Sequence, residues 1–360
     1  MSDFDCYDDR KPNRPAEKVS RANFLAQMTI RKDHLGHIGT ADTRLSGSRP
    51  ELRRVHLRIT LVVLLALLPA GSFLGTLAVE SQLALVALPI LLLGVMHGGL
   101  DPWVGEVVMR DRFGKSEPSL FVISYLSVMA VVIACWVLAP LATLAGFLVI
   151  SVLHFGEQDA YGFAGRSDGL TVSVFGAIPV LGPIAAHPAE AALIFGWLTG
   201  AEKSMLAEIM NWLAQPLIAI WIVGAGMLVA RMHIEGEANK GFQLAGLGVL
   251  VASMVLLPPL IAFAAYFCLL HSFGHLLDLA VRFQGPWTEW SLGQWGSRLW
   301  PATLGALGLG MLGWVLLSGI NLGSSMGHEV LAQVIFCGLA ALTVPHVLLY
   351  AVVRGDSAGR

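Results

Sequence analysis

Charge is scarce in this sequence. Asp, Glu, Lys and Arg make up 13% of its 360 residues, about half of what soluble globular domains carry. The shortage begins near residue 58, beyond which long stretches hold no charged side chain. Uncharged apolar runs of 18 residues or more are the mark of membrane spans, so a soluble globular fold is excluded. Cysteine is also rare. Cys6, Cys135, Cys268 and Cys337 are scattered, with no CxxC pair, and three of them lie inside apolar runs. That excludes a disulfide framework and a zinc-ribbon site and leaves them as small buried hydrophobes. A net charge of -2 without a basic block excludes a nucleic-acid partner.

The first fifty residues differ from the rest. Residues 1–50 are polar, mixed in charge and without an apolar core, so they read as a disordered cytoplasmic extension and not as a secretory signal. His34 and His37 within it receive no role. Residues 51–354 read as a single transmembrane helical domain.

About 20 residues cross the hydrocarbon core, and that length divides the domain. Residues 60–78 and 81–100 are one span each. The uncharged stretch 119–155 would be roughly 55 Å long as a helix, too long for one crossing. Pro140 at its middle makes it a hairpin of two spans. Residues 241–277 form a second hairpin around Pro258 and Pro259. Residues 209–230, 299–320 and 330–353 are single spans. Residues 170–198, interrupted by Pro179, Pro183, Pro188 and Glu190, read as a broken span or re-entrant segment. The expected fold is an all-α polytopic bundle of about ten spans, some broken or short.

Lys and Arg collect on the cytoplasmic side of membrane proteins. With the N-terminus inside, ten of the eleven basic residues after Thr60 fall on one side, and Lys203 alone falls outside. Both termini are then cytoplasmic, in the inner membrane of the cell. Trp287, Trp290, Trp295 and Trp300 lie near a boundary and read as an interfacial belt.

This topology brings five histidines from four helices to one depth, in the cytoplasmic half: His97, His154, His271, His275 and His346. Ionisable residues at that depth are costly and usually functional. The segments that carry them are MHGGLD (96–101), HFGEQD (154–159), HSFGHLLD (271–278) and PH (345–346). His271 and His275 stand at i, i+4 on one helix face, as two ligands of one metal would. Asp101, Glu157 and Asp278 follow His97, His154 and His275 at helical spacing. They are candidates for the carboxylates that orient metal-bound imidazoles, and His346 is a further candidate for that supporting role. Gly98, Gly99, Gly156 and Gly274 adjoin the histidines and permit close helix approach. His187 and His328 fall outside this level and read as structural. Four neutral imidazoles suit a divalent transition metal. Zinc held by four histidines would be closed and structural, whereas octahedral iron would keep positions for dioxygen and a substrate.

The ordered segments HGGLD, HFGEQD, YFCLLHSFGH (266–275) and PH resemble the Brp/Blh family of bacterial and archaeal carotenoid oxygenases, over about residues 85–350. Family segments read roughly PHGxxD, HFGxxD, YFxxxHSxRH and PH. The resemblance implies ferrous iron on His97, His154, His271 and His275, and central cleavage of β-carotene by dioxygen to retinal within the bilayer. A retinal-binding rhodopsin is then a candidate recipient. Met96 stands where the family has proline, and Gly274 where it usually has arginine. Phe155, Tyr266, Phe267 and Phe273 are candidates to line a carotenoid tunnel. Two alternatives stay open. One is a di-iron membrane desaturase or hydroxylase of a lipid or carotenoid, although no HxxHH box is present. The other is a haem- or metal-binding membrane protein without enzymatic activity. The topology itself is testable: reporter fusions at Arg354 and in the 321–329 loop should report opposite sides of the membrane, and the same side at both would misplace the last span.

Overall fold

The protein is described from a computed structural model that covers residues 49–114, 117–282, 292–320 and 327–358. The extension 1–48, with His34 and His37, lies outside the described residues, as do Trp287 and Trp290. Everything below concerns one compact unit, Gly47–Ala351.

Among the described residues every regular element is helical. The helices are α1 (Arg49–Leu67), α2 (Gly71–Leu74), α3 (Val79–Pro89), α4 (Asp101–Phe113), α5 (Pro118–Leu138), α6 (Pro140–Ala164), α7 (Gly169–Ala186) and α8 (Pro188–Thr199). They continue as α9 (Lys203–Ile234), α10 (Lys240–Leu256), α11 (Pro259–Ala265), α12 (Phe273–Arg282), α13 (Leu292–Ile320) and α14 (Gly327–Ala358). Among the described residues nine stretches are long and apolar enough to cross a membrane, and α10, with 17 residues, is a shorter apolar helix. The chain is a multi-pass membrane protein.

Prolines cut the long apolar runs where the backbone needs them. Ala139 leaves helical geometry (φ -147°, ψ 63°) and Pro140 opens α6. Leu257 and Pro258 are extended and Pro259 opens α11. Proline is tolerated at a first helical position, where its missing N–H has no partner to lose. The stretch 170–198 behaves differently. Pro179 and Pro183 sit inside α7 without ending it, and the break falls at His187, before Pro188.

Ion pairs bear on whether α8 is a separate crossing. Arg166, in the loop after α6, reaches Glu235 at 2.8 Å and Glu237 at 2.6 Å, in the loop after α9. Asp168 takes Arg231 at 3.0 Å. The two loops therefore share one side. An even number of crossings separates them, in keeping with α7 and α9 as spanning helices and with α8, at 12 residues, outside that set.

Burial sorts the helices into centre and rim. The apolar window of 259–279 is 72% buried, against 6% for those of 203–234 and 296–319. Rim helices show large apolar side chains outward: Ile220 is 68% exposed and Trp212 76%. A helix apolar on all faces is at home in lipid. α1 buries Leu57, Leu61 and Leu64 on one stripe and turns Val55, Ile59 and Val62 out.

The tightest seam lies between α6 and α7. A Cβ on Gly176 would collide with the carbonyl of Val152, and one on Gly156 with the carbonyl of Val172. Small residues let helices approach to backbone contact, where dispersion replaces the missing hydrophobic drive. The seam fixes the depth of His154, two residues before Gly156. Replacing Gly176 by valine should lower stability by about 1–3 kcal/mol, read as an earlier thermal transition in detergent. Gly226, with open space around its Cα, should accept alanine without that loss.

Candidate metal centre

Two departures from α-helical geometry meet at the centre of the bundle. After α3 the chain runs through a π segment, Ile90–Gly94, and a 3-10 turn, Val95–Gly98, before α4 resumes. Between α11 and α12 lies a second π segment, Tyr266–Ser272. Single π turns within helices are frequent at functional sites. The 3-10 turn carries His97 and the second π segment carries His271, with His275 one turn further in α12.

Such turns disturb the helical ladder, and a carbonyl left unsatisfied in a hydrocarbon surround costs several kcal/mol. Side chains supply the donors here. Ser272 donates to the carbonyl of Leu93 at 2.6 Å, joining the two irregular segments to each other. Gln158 donates to the carbonyl of His271 at 2.8 Å, and His56 to that of Leu269 at 2.8 Å. Arg53 bridges the carbonyl of Gln158 at 2.8 Å and the carboxylate of Asp278 at 2.8 Å. A small polar pocket lined by Arg53, His56, Gln158, Asp159 and Gly274 thus backs the histidine-bearing segment.

On the other face of that segment the imidazoles converge. Ligating atoms of His97, His154 and His271 all lie within 4.8 Å of one another, and the Nε2 atoms of His154 and His271 are 3.1 Å apart. Bonds of about 2.1 Å to one ion would put two adjacent nitrogens at roughly that separation. His97 is the hub. The rings of His154, His271, His275 and His346 surround it at centroid distances of 5.5, 4.9, 4.7 and 4.3 Å. His97, His271, His275 and His346 are buried and His154 is half-buried. Buried His97 Nδ1 and His346 Nε2 have no hydrogen-bond partner among the described residues. Unpartnered imidazole nitrogens in an apolar core are what a divalent metal would satisfy, so the residues fit such an ion.

One carboxylate is placed differently from the expectation. Asp101 lies at i+4 from His97, but the chain between them is a 3-10 turn followed by Gly99 and Leu100, which rotates the carboxylate away. Asp101 instead takes Nδ1 of His346, at 2.9 Å from both oxygens, and accepts from the Tyr125 hydroxyl at 2.8 Å. Asp278 is drawn to Arg53. Glu157 is half-buried, and its main-chain carbonyl accepts from Ser167.

The aromatic candidates divide. Phe155 packs on His271 at 4.7 Å and Phe267 on His271 at 5.9 Å. Tyr266 is fully buried, 6.4 Å from His271 between ring centroids, and gives its hydroxyl to Asp159 at 2.6 Å. Phe273 is 49% exposed beside His56. The remaining described histidines serve elsewhere. His187 bonds the carbonyl of Val255, His233 that of Val229, and His328 packs on Trp197. Among the described residues, no larger histidine set of the desaturase kind is assembled.

Sequence reading missed His56, Arg53, Gln158, Tyr125 and Tyr350. The Tyr350 ring packs on both His275 and His346. His56 carried one usable signal, a histidine at the mouth of the first apolar run. The others carried none, because what they serve is backbone, a distant carboxylate or an imidazole ring.

Comparison with known proteins gives the chain a family. The family model described as beta-carotene 15,15'-dioxygenase matches residues 88–354, and the chain belongs to that family. The beta-carotene 15,15'-dioxygenase of uncultured marine bacterium 66A03 is 26% identical over 263 residues, covering 72% of this chain and 90% of that protein. A probable beta-carotene 15,15'-dioxygenase, Blh, of Halobacterium salinarum is 22% identical over 255 residues, 66% of this chain and 72% of that protein. No solved structure matches. The polar clamp behind His271 can be checked without any knowledge of activity. Gln158→Leu strips the His271 carbonyl of its donor and should cost about 1–3 kcal/mol, seen as a lower unfolding temperature in detergent. An unchanged temperature would mean that another donor takes its place.

Proposed function

From its membership of the beta-carotene 15,15'-dioxygenase family, we propose that this enzyme cleaves β-carotene at its central double bond with dioxygen, giving two molecules of retinal. The observation that supports this most is the all-imidazole cluster, buried at the centre of a membrane-spanning bundle. Residues 51–354 form the catalytic unit, in the inner membrane with both termini cytoplasmic. His97, His154, His271 and His275 hold ferrous iron. When bound, ferrous iron supplies the activation of dioxygen that imidazoles and a hydrocarbon cannot provide by themselves.

The chain's own residues do the rest. β-Carotene is dissolved in lipid, and a site between transmembrane helices admits it sideways without passage through water. His154, alone of the five in not being buried, marks the side of approach. Phe155 and Phe267 lie against the histidines and offer flat apolar faces to a polyene. Holding the central double bond in register accounts for regioselectivity, because positioning alone can contribute several kcal/mol to a reaction. The surrounding apolar wall keeps water from the reacting centre. The step balances: one carbon–carbon double bond is lost, two carbonyls form, and both oxygen atoms of dioxygen are consumed. Retinal leaves as an apolar aldehyde into the same lipid, where a retinal-binding rhodopsin is a candidate acceptor.

Carotene-producing cells that express the chain should lose their orange colour and accumulate retinal only in the presence of oxygen. A ferrous chelator should stop the conversion. Single His→Ala changes at positions 97, 154, 271 and 275 should abolish it while the protein still inserts. Apocarotenals longer than retinal among the products would refute central cleavage, and no bleaching by an iron-loaded protein would refute carotenoid cleavage altogether.

A further inference from the structure

The geometry points to His346 as a fifth ligand of the metal, presented through Nε2 and oriented by Asp101. This rests on the metal reading above and extends it to a residue from the last transmembrane helix.

Three observations carry it. First, His346 is 1% exposed and packs against three of the other four histidines: its ring lies 4.3 Å from that of His97, 4.9 Å from His275 and 5.2 Å from His154. Second, its Nδ1 is engaged by both oxygens of Asp101 at 2.9 Å, and Asp101 is itself 1% exposed. A carboxylate accepts from an N–H, so the proton sits on Nδ1 and the lone pair is left on Nε2. Third, that Nε2 is buried and has no hydrogen-bond partner among the described residues. A histidine whose far nitrogen is held by a carboxylate, with its near nitrogen bare in a cluster of imidazoles, is the usual arrangement of a metal ligand and its supporting acid.

The support extends outward. The Tyr125 hydroxyl donates to Asp101 Oδ2 at 2.8 Å and lies 3.2 Å from the carbonyl of Leu342, one turn before His346 in α14. Tyr125 therefore ties the carboxylate to the helix that bears the histidine. Five ligands leave one position on an octahedral ion. That suffices here, because a hydrocarbon has no donor atom and is held by packing alone.

A buried Asp–His pair could instead be purely structural, and the two roles predict different results. Full-length protein in detergent is titrated with ferrous iron and examined by X-ray absorption at the iron edge. If His346 is a ligand, His346→Ala binds ferrous iron at least about 10-fold more weakly and shows a stronger pre-edge feature, the sign of lower coordination. Added imidazole should reverse both. Asp101→Asn preserves shape but can place its amide donor against Nδ1, moving the proton to Nε2. It should weaken iron binding by about 10–100-fold, and it keeps the test open should His346→Ala fail to insert. Unchanged affinity and an unchanged pre-edge feature in either inserted variant would overturn the assignment while leaving the four-histidine site standing. A wild-type protein that takes up no ferrous iron would overturn the metal reading itself, and this assignment with it.

Discussion

A carbonyl has nowhere to turn in hydrocarbon. Water cannot reach it, and the penalty for leaving it bare is several kcal/mol. The centre of this protein is built around that constraint, because two of its central helices abandon α geometry within the membrane. Ser272 closes one irregular segment onto the other, while Gln158 and His56 hold the carbonyls of His271 and Leu269 from behind. The donors come from α1, α6 and the π segment itself. Irregular backbone and polar side chains are thus two halves of one solution, and the histidines on the opposite face inherit the rigidity it creates.

Inside that frame the centre has a division of labour. One side of the π segment is a salt-bridged polar pocket, with Arg53 neutralised by Asp278. The other side is a cage of imidazoles with aromatic packing from Phe155 and Phe267. The Arg53–Asp278 charges thus lie behind the backbone, on the side away from the imidazoles. The close seam at Gly156 and Gly176 sets the position of the half-buried histidine, and the rim helices contribute mostly surface for lipid.

Much of this was legible in the sequence because it follows from simple physics. Hydrophobic runs gave the crossings, prolines 140 and 258–259 gave the hairpins, and the one-sided basic residues gave a depth at which five histidines coincide. What failed to read through were consequences of irregularity. Asp101 was expected to face His97 because i, i+4 neighbours share a helix face; the 3-10 turn at 95–98 cancels that rule and delivers the carboxylate to His346 instead. No residue pattern in 266–272 announces a π turn, so the demand for side-chain donors at Gln158 and His56 was invisible. The stretch 170–198 looked broken by three prolines, yet only the one at 188 coincides with a break, because proline within a packed membrane helix is tolerated.

One feature reaches beyond the site. The family match begins at residue 88, but α1, which precedes it, supplies the donor for Leu269 and the guanidinium that locks Asp278. The evolutionary unit and the physical unit therefore have different edges. A chain trimmed to the matched residues would keep every imidazole of the centre and yet expose the back of its most distorted segment to lipid. Homology delimits what is shared among relatives; it does not delimit what must fold together.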